Sequence, residues 1–69
     1  MKVFQERFKS LRLQSNISQK DIAKFFNTTN SGISDWENGR TEPNLEQLVL
    51  IADYFNVCSD YLIGRQEYY

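Results

Sequence analysis

A single cysteine and no histidine in 69 residues decide how this chain is held together. Cys58 has no partner for an internal disulfide, and without histidine the mixed Cys and His ligand set of a structural zinc site cannot be assembled. Packing alone must carry the fold. A chain this short buries only about 60 per cent of the surface its unfolded form exposes, so its margin is thin and association with a second copy would widen it. With 25% of residues charged, 41% hydrophobic and one proline, the composition is that of one small globular domain, not of a disordered or fibrous chain. A deep catalytic cleft does not fit.

The longest apolar run, Leu48-Val49-Leu50-Ile51-Ala52, is far below the roughly 20 residues of a membrane helix, and no apolar stretch follows Lys2 as in a signal peptide. A soluble, cytoplasmic protein is expected, with no membrane partner, cofactor, metal or small-molecule ligand. The net charge of −1 argues mildly against a polyanionic partner, but its distribution argues otherwise. Residues 1–40 hold seven basic side chains (Lys2, Arg7, Lys9, Arg12, Lys20, Lys24, Arg40) and four acidic ones (Glu6, Asp21, Asp35, Glu37). Residues 41–69 hold Arg65 alone against five acidic side chains (Glu42, Glu46, Asp53, Asp60, Glu67). Such asymmetry places one end of the molecule toward an anion and the other away from it.

Helical spacing runs the length of the chain. Phe4, Phe8 and Leu11 recur at four and three, the face of a helix over roughly 2–14, and Asn16 permits a left-handed stop. Ser18 with Asp21 forms a capping pair for a second helix over roughly 18–26, with Ile22, Ala23 and Phe26 as its buried stripe. Thr29 is the best cap for a third helix, about 30–37, because Ile33, Trp36 and Glu37 then share a face. Asn38-Gly39 closes it. Asn44 with Gln47 repeats the capping-box logic ahead of a fourth helix whose Leu45, Leu48, Ile51, Ala52 and Phe55 face the core. Ser59 opens a short fifth helix containing Tyr61 and Leu62, and Gly64 ends it. No alternating pattern of useful length interrupts this, so the fold class is all-α, five short helices without internal repeats.

The third helix carries the functional signal. A short helix, a four-residue turn and a second short helix form the geometry in which one helix protrudes into a DNA major groove. With Ile33, Trp36 and Glu37 inward, Ser31, Ser34, Asp35 and Asn38 turn outward, a small polar face that lets the backbone approach base edges, and Asn30 reaches from the first turn. Gly32 inside this helix costs up to about 1 kcal/mol against Ala, which close approach of DNA would explain. Arg12 and Glu37 edge two apolar stripes, an arrangement that invites a partly buried ion pair. Trp36, beside Ile33, is read as core and not as a base-stacking residue.

Ile17-Ser18-Gln19-Lys20-Asp21-Ile22-Ala23, then Ile33-Ser34-Asp35-Trp36-Glu37-Asn38-Gly39-Arg40, then Pro43 and Leu48 through Tyr54 resemble the Cro and phage-repressor helix-turn-helix domains, also called the xenobiotic-response-element family. The resemblance runs from about Phe4 to Gly64. It implies a five-helix lambda-repressor-like domain over 1–64 with the helix-turn-helix at about 18–37 and a tail at 65–69, encoded by a bacterium or phage. It further implies that Asn30, Ser31, Ser34 and Asp35 read bases, and that Gln19, Lys20, Thr29, Asn38 and Arg40 hold the sugar-phosphate chain, partly through backbone amides after the third helix. The Arg12–Glu37 pair is structural in this family. Asp35 departs from the family, where Gln, Arg or Lys is common, and a carboxylate there is repelled by phosphates unless it accepts from cytosine N4.

Leu50 and Tyr54, four residues apart, form an apolar pair away from the core face, and with Tyr61, Ile63 and Tyr68-Tyr69 they make a candidate dimer interface in the acidic half. The residues thus point to a homodimeric repressor on a palindromic operator in double-stranded DNA. An enzyme is excluded by the lack of histidine, of a base near Cys58 and of concavity. The alternative is a protein-binding module, an antitoxin or antirepressor component whose DNA binding is secondary; candidate protein partners of the chain are RNA polymerase, an antirepressor or a toxin.

Overall fold

All five helices are stopped, and the last four are started, by residues within their own neighbourhood. In the computed structural model, which describes residues 2–69, the elements are α1 (Lys2–Gln14), α2 (Gln19–Ala23), α3 (Asn30–Asn38), α4 (Leu45–Phe55) and α5 (Ser59–Leu62). Ser18 accepts from the Asp21 amide and Thr29 from the Gly32 amide, satisfying donors that the first turns of α2 and α3 would otherwise leave open. Asn44 and Gln47 complete a reciprocal box at 2.7 and 2.9 Å. At α5 the cap is Cys58, whose sulfur accepts from the Tyr61 amide, and Ser59 is the first helical residue.

The stops share one geometry. Asn16, Asn27, Gly39, Asn56 and Gly64 all have positive φ, between 54° and 88°. The amide that follows each reaches back five residues: Ile17 to Arg12, Thr28 to Ala23, Arg40 to Asp35, Val57 to Ala52 and Arg65 to Asp60. This is the Schellman closure, which satisfies carbonyls that a helix end leaves bare. The second helix is shorter than its apolar spacing predicts. From Lys24 to Phe26 the amides bond three residues back, so the chain tightens into a 3₁₀-type turn after Ala23 while Phe26 stays buried.

Phe8 is fully buried at the centre, with Phe4, Trp36, Phe26 and Phe55 around it at ring-centroid distances of 5.5, 5.7, 6.1 and 6.3 Å. Ile22, Ile33, Ile51 and Leu62 bring one side chain from each remaining helix to the same core. Leu45 does not join it. Expected on the core face of α4, Leu45 is 83% exposed, because a side chain at the first helical position leans back past the helix end instead of over a neighbouring turn. Gly32 has a reason inside the domain: a β-carbon there would strike the Thr28 side chain in the preceding turn.

The chain beyond α5 folds back. Arg7 stacks over the Tyr61 ring at 4.1 Å and donates to the carbonyl oxygens of Tyr61 and Gln66 at 2.6 and 2.7 Å. The Cys58 amide donates to the Tyr69 carbonyl, and the Tyr69 ring meets Tyr61 edge-on. Residues 65–69 therefore lie against α1 and α5.

Candidate nucleic-acid interface

α3 is fixed from behind by a buried polar network. Arg12 Nε donates to Glu37 Oε2 at 2.5 Å, and the adjacent guanidinium nitrogen donates to Oε1 at 3.1 Å. The remaining guanidinium nitrogen donates to the Ile17 carbonyl, and Gln19 Nε2 donates to Glu37 Oε1, both at 3.0 Å. The side chains of Arg12 and Glu37 are 11% and 2% exposed. A bidentate pair with its remaining valences satisfied is the condition under which a buried ion pair is tolerated. The network links four segments, α1, the α1–α2 loop, α2 and α3, so the tilt of α3 is set by the other three. Gln47 adds a fifth, donating to the Phe26 carbonyl and tying α4 to the turn between α2 and α3.

The opposite face of α3 divides along its length. Asn30 and Ser31, on the first turn, are exposed, and their side chains make no hydrogen bond among the described residues. Thr29 keeps its hydroxyl proton free while its oxygen caps the helix. Further along, part of the valences is already used. Asn38 Nδ2 donates to the Ser34 carbonyl at 2.9 Å and to Ser34 Oγ at 3.2 Å. Arg40 Nη1 meets Asp35 Oδ1 at 3.2 Å. The amides of Gly39 and Arg40 bond to the carbonyl oxygens of Trp36 and Asp35, so the cap consumes amides that the sequence reading assigned to phosphates. Lys20 is exposed on α2, and Gln19 faces Glu37 with one amide hydrogen to spare.

A helix with a polar outer face, capped by Thr29, braced by a buried Arg–Glu pair and preceded by a short capped helix and tight turn, has the form of a helix-turn-helix unit. Residues 8–62 match the helix-turn-helix family. The chain belongs to the Cro and phage-repressor type of this helix-turn-helix family. Its helix-turn-helix architecture superimposes on the P22 c2 repressor in complex with a synthetic operator, with a TM-score of 0.86 and 30% identity over 96% of this chain and all of the other. The helix-turn-helix activator BcrR of Enterococcus faecalis is 34% identical over 64 residues, 93% of this chain and 31% of BcrR. The C2 repressor of Salmonella phage P22 is 34% identical over 58 residues, 84% of this chain and 27% of that protein. The chain spans less than a third of the length of these two curated relatives. They are transcription regulators and not enzymes.

The candidate interface between copies of this helix-turn-helix domain is less simple than its sequence. Leu50 is half-buried and packs on the core, so it does not form an exposed pair with Tyr54. Tyr54 is 40% exposed and instead meets Phe25 at 5.2 Å, a residue with no signal in the apolar spacing because it sits in the 3₁₀-type turn. Tyr61 is half-buried beneath Arg7 and Tyr69, and Ile63 is half-buried at the end of α5. Val49, 56% exposed, was not singled out by sequence and lies one turn from Leu45 on the same flank of α4.

Proposed function

We propose that this domain binds double-stranded DNA in a sequence-specific manner and regulates transcription as a homodimeric repressor on a palindromic operator. The observation that carries the reading is the division of α3: an inner face bolted by Arg12, Glu37 and Gln19, and an outer first turn where Asn30 and Ser31 hold unspent hydrogen-bonding groups. Short polar side chains on a rigid helix meet the need of base-edge contact, where a misplacement of an ångström loses the bond. The likeness to a repressor solved on its operator supports the same reading.

In this reading Asn30, Ser31, Ser34 and Asp35 address bases. Lys20, Thr29 and Arg40 address phosphates, with Gln19 through its spare amide hydrogen and Asn38 only by exchanging its Ser34 bonds for a phosphate. The second copy docks through Tyr54, Tyr61 and Ile63, with Leu50 contributing its half-buried edge. Repression follows from occupancy of the operator against RNA polymerase, with no effector ligand required.

Selection from a random duplex library at about 100–150 mM salt tests this. The expected result is a two-fold motif with half-site centres about 10 bp apart. Asn30→Ala with Ser31→Ala is expected to lose about 10- to 100-fold affinity per half-site for that motif and to keep its melting temperature. An enriched motif unaffected by the double substitution would move the reading face elsewhere.

A second reading, a protein-binding module, draws on the exposed Phe25–Tyr54 pair beside the turn. A folded protein that enriches no duplex but binds a protein partner with little salt dependence would favour it.

A further inference from the structure

We propose that Asp35 and Arg40 act on DNA as one unit, in which Arg40 is the positioning residue that allows Asp35 to read a cytosine. The inference rests on the DNA-binding reading above and names a determinant of its specificity. Its starting point is a conflict on the outer face of α3. A carboxylate facing a duplex meets one negative charge for about every 1.7 Å of helix axis, and alone it is repelled from every sequence alike. Asp35 is not alone.

The pairing is built into the end of the helix. Gly39, at φ 77°, turns the chain left-handed, and the Arg40 amide closes on the Asp35 carbonyl at 2.9 Å. The root of Arg40 is therefore pinned over Asp35, and its guanidinium meets Oδ1 at 3.2 Å. Only one carboxylate oxygen is used. Oδ2 keeps its lone pairs, and Arg40 keeps Nε and its second terminal nitrogen, with no other partner among the described residues. The two side chains are 36% and 66% exposed, so the unused edge of the pair is open to a ligand.

The chemistry of that edge selects a base. An ionised carboxylate accepts hydrogen bonds and donates none, and in the major groove cytosine presents N4–H₂ as a donor. Oδ2 can accept that hydrogen while Oδ1 stays with Arg40. The guanidinium cancels the charge that would otherwise repel the neighbouring phosphates, and the attraction within the pair strengthens as DNA displaces water from it. Without Arg40 the same carboxylate becomes a penalty against all duplexes.

The consequence is a reversal of sign. The experiment measures the affinity of the wild-type domain, Asp35→Asn, Arg40→Gln and the double variant, each checked by its melting curve, on the selected duplex and on duplexes altered at the base pair that Asp35 faces. Asp35→Asn alone is expected to weaken binding to the cytosine duplex by about tenfold and shift preference toward adenine, which Asn reads. In the Arg40→Gln background the same substitution is expected to strengthen binding severalfold, because it removes an uncompensated charge. Arg40→Gln alone is expected to flatten the preference at that base pair.

An equal effect of Asp35→Asn in both backgrounds would overturn the coupling. So would Arg40→Gln weakening all duplexes by one factor with base preference intact, the signature of a plain phosphate contact. A folded wild-type protein that selects no duplex would overturn the proposed function and this inference together, an outcome distinct from additivity.

Discussion

Arg12→Ala is expected to destabilise the domain by about 3–5 kcal/mol, enough to leave much of the population unfolded. Domains typically hold about 0.05–0.15 kcal/mol per residue, which for this chain is roughly 3–10 kcal/mol in total. The loss arises less from the attraction removed than from what remains. Glu37, with a side chain 2% exposed, would be left with only Gln19 as partner, and the Ile17 carbonyl would lose its donor. Thermal melting followed by circular dichroism measures this directly. A variant that melts like the wild type yet binds DNA weakly would show that Arg12 acts at the interface and not in the frame. Replacing both partners, Arg12→Met with Glu37→Leu, is expected to recover part of the stability, because no buried charge is then left over.

Phe8→Ala is expected to cost a similar amount, about 3–5 kcal/mol, by a different route. Phe8 touches rings from three other helical segments and is fully buried, so truncation leaves a cavity that four aromatic neighbours cannot fill without leaving their own contacts. The natural control is Leu45→Ala, a larger side chain than Ala in a helix with a comparable apolar pattern but 83% exposed, where a change within about ±0.5 kcal/mol is expected. Urea denaturation separates the two through the midpoint, with the slope unchanged. Equal shifts would contradict the assignment of the core.

The sequence made the punctuation of this fold legible because capping is local. Ser18, Thr29, Asn44 with Gln47, Gly39 and Gly64 act on amides and carbonyls within a few residues, so their chemistry can be read without knowing the fold. The inner stripe of α3 was legible for the same reason, through its 3.6-residue period. Periodicity failed where the backbone left that period: it extended α2 through Phe26, over a turn with three-residue bonds, and it gave Phe25 no role. It also assigned Leu45 inward and Leu50 outward, since an ideal wheel ignores the helix start and the neighbours that close over one flank.

Contacts between distant parts of the chain were beyond its reach. Arg7 bonds to carbonyl groups 54 and 59 residues away, and no local pattern marks a partner at that distance. Of the site, the residues of α3 were visible, but the state of their valences was not. Arg40 is brought to Asp35 by the closure after α3, and Asn38 reaches Ser34 one turn back within the helix, two pairings that the residue types alone do not announce.

The two-sided construction of α3 also bears on how such a domain diversifies. Ile33, Trp36 and Glu37 are buried and answer to the frame, whereas Asn30 and Ser31 are exposed and their side chains make no hydrogen bond among the described residues. Substitutions at the second pair cost little folding energy, so they can accumulate and be exchanged without passing through an unfolded intermediate sequence. A lineage built on this helix can change its targets while its scaffold stays still, and new specificities are reached by short neutral walks.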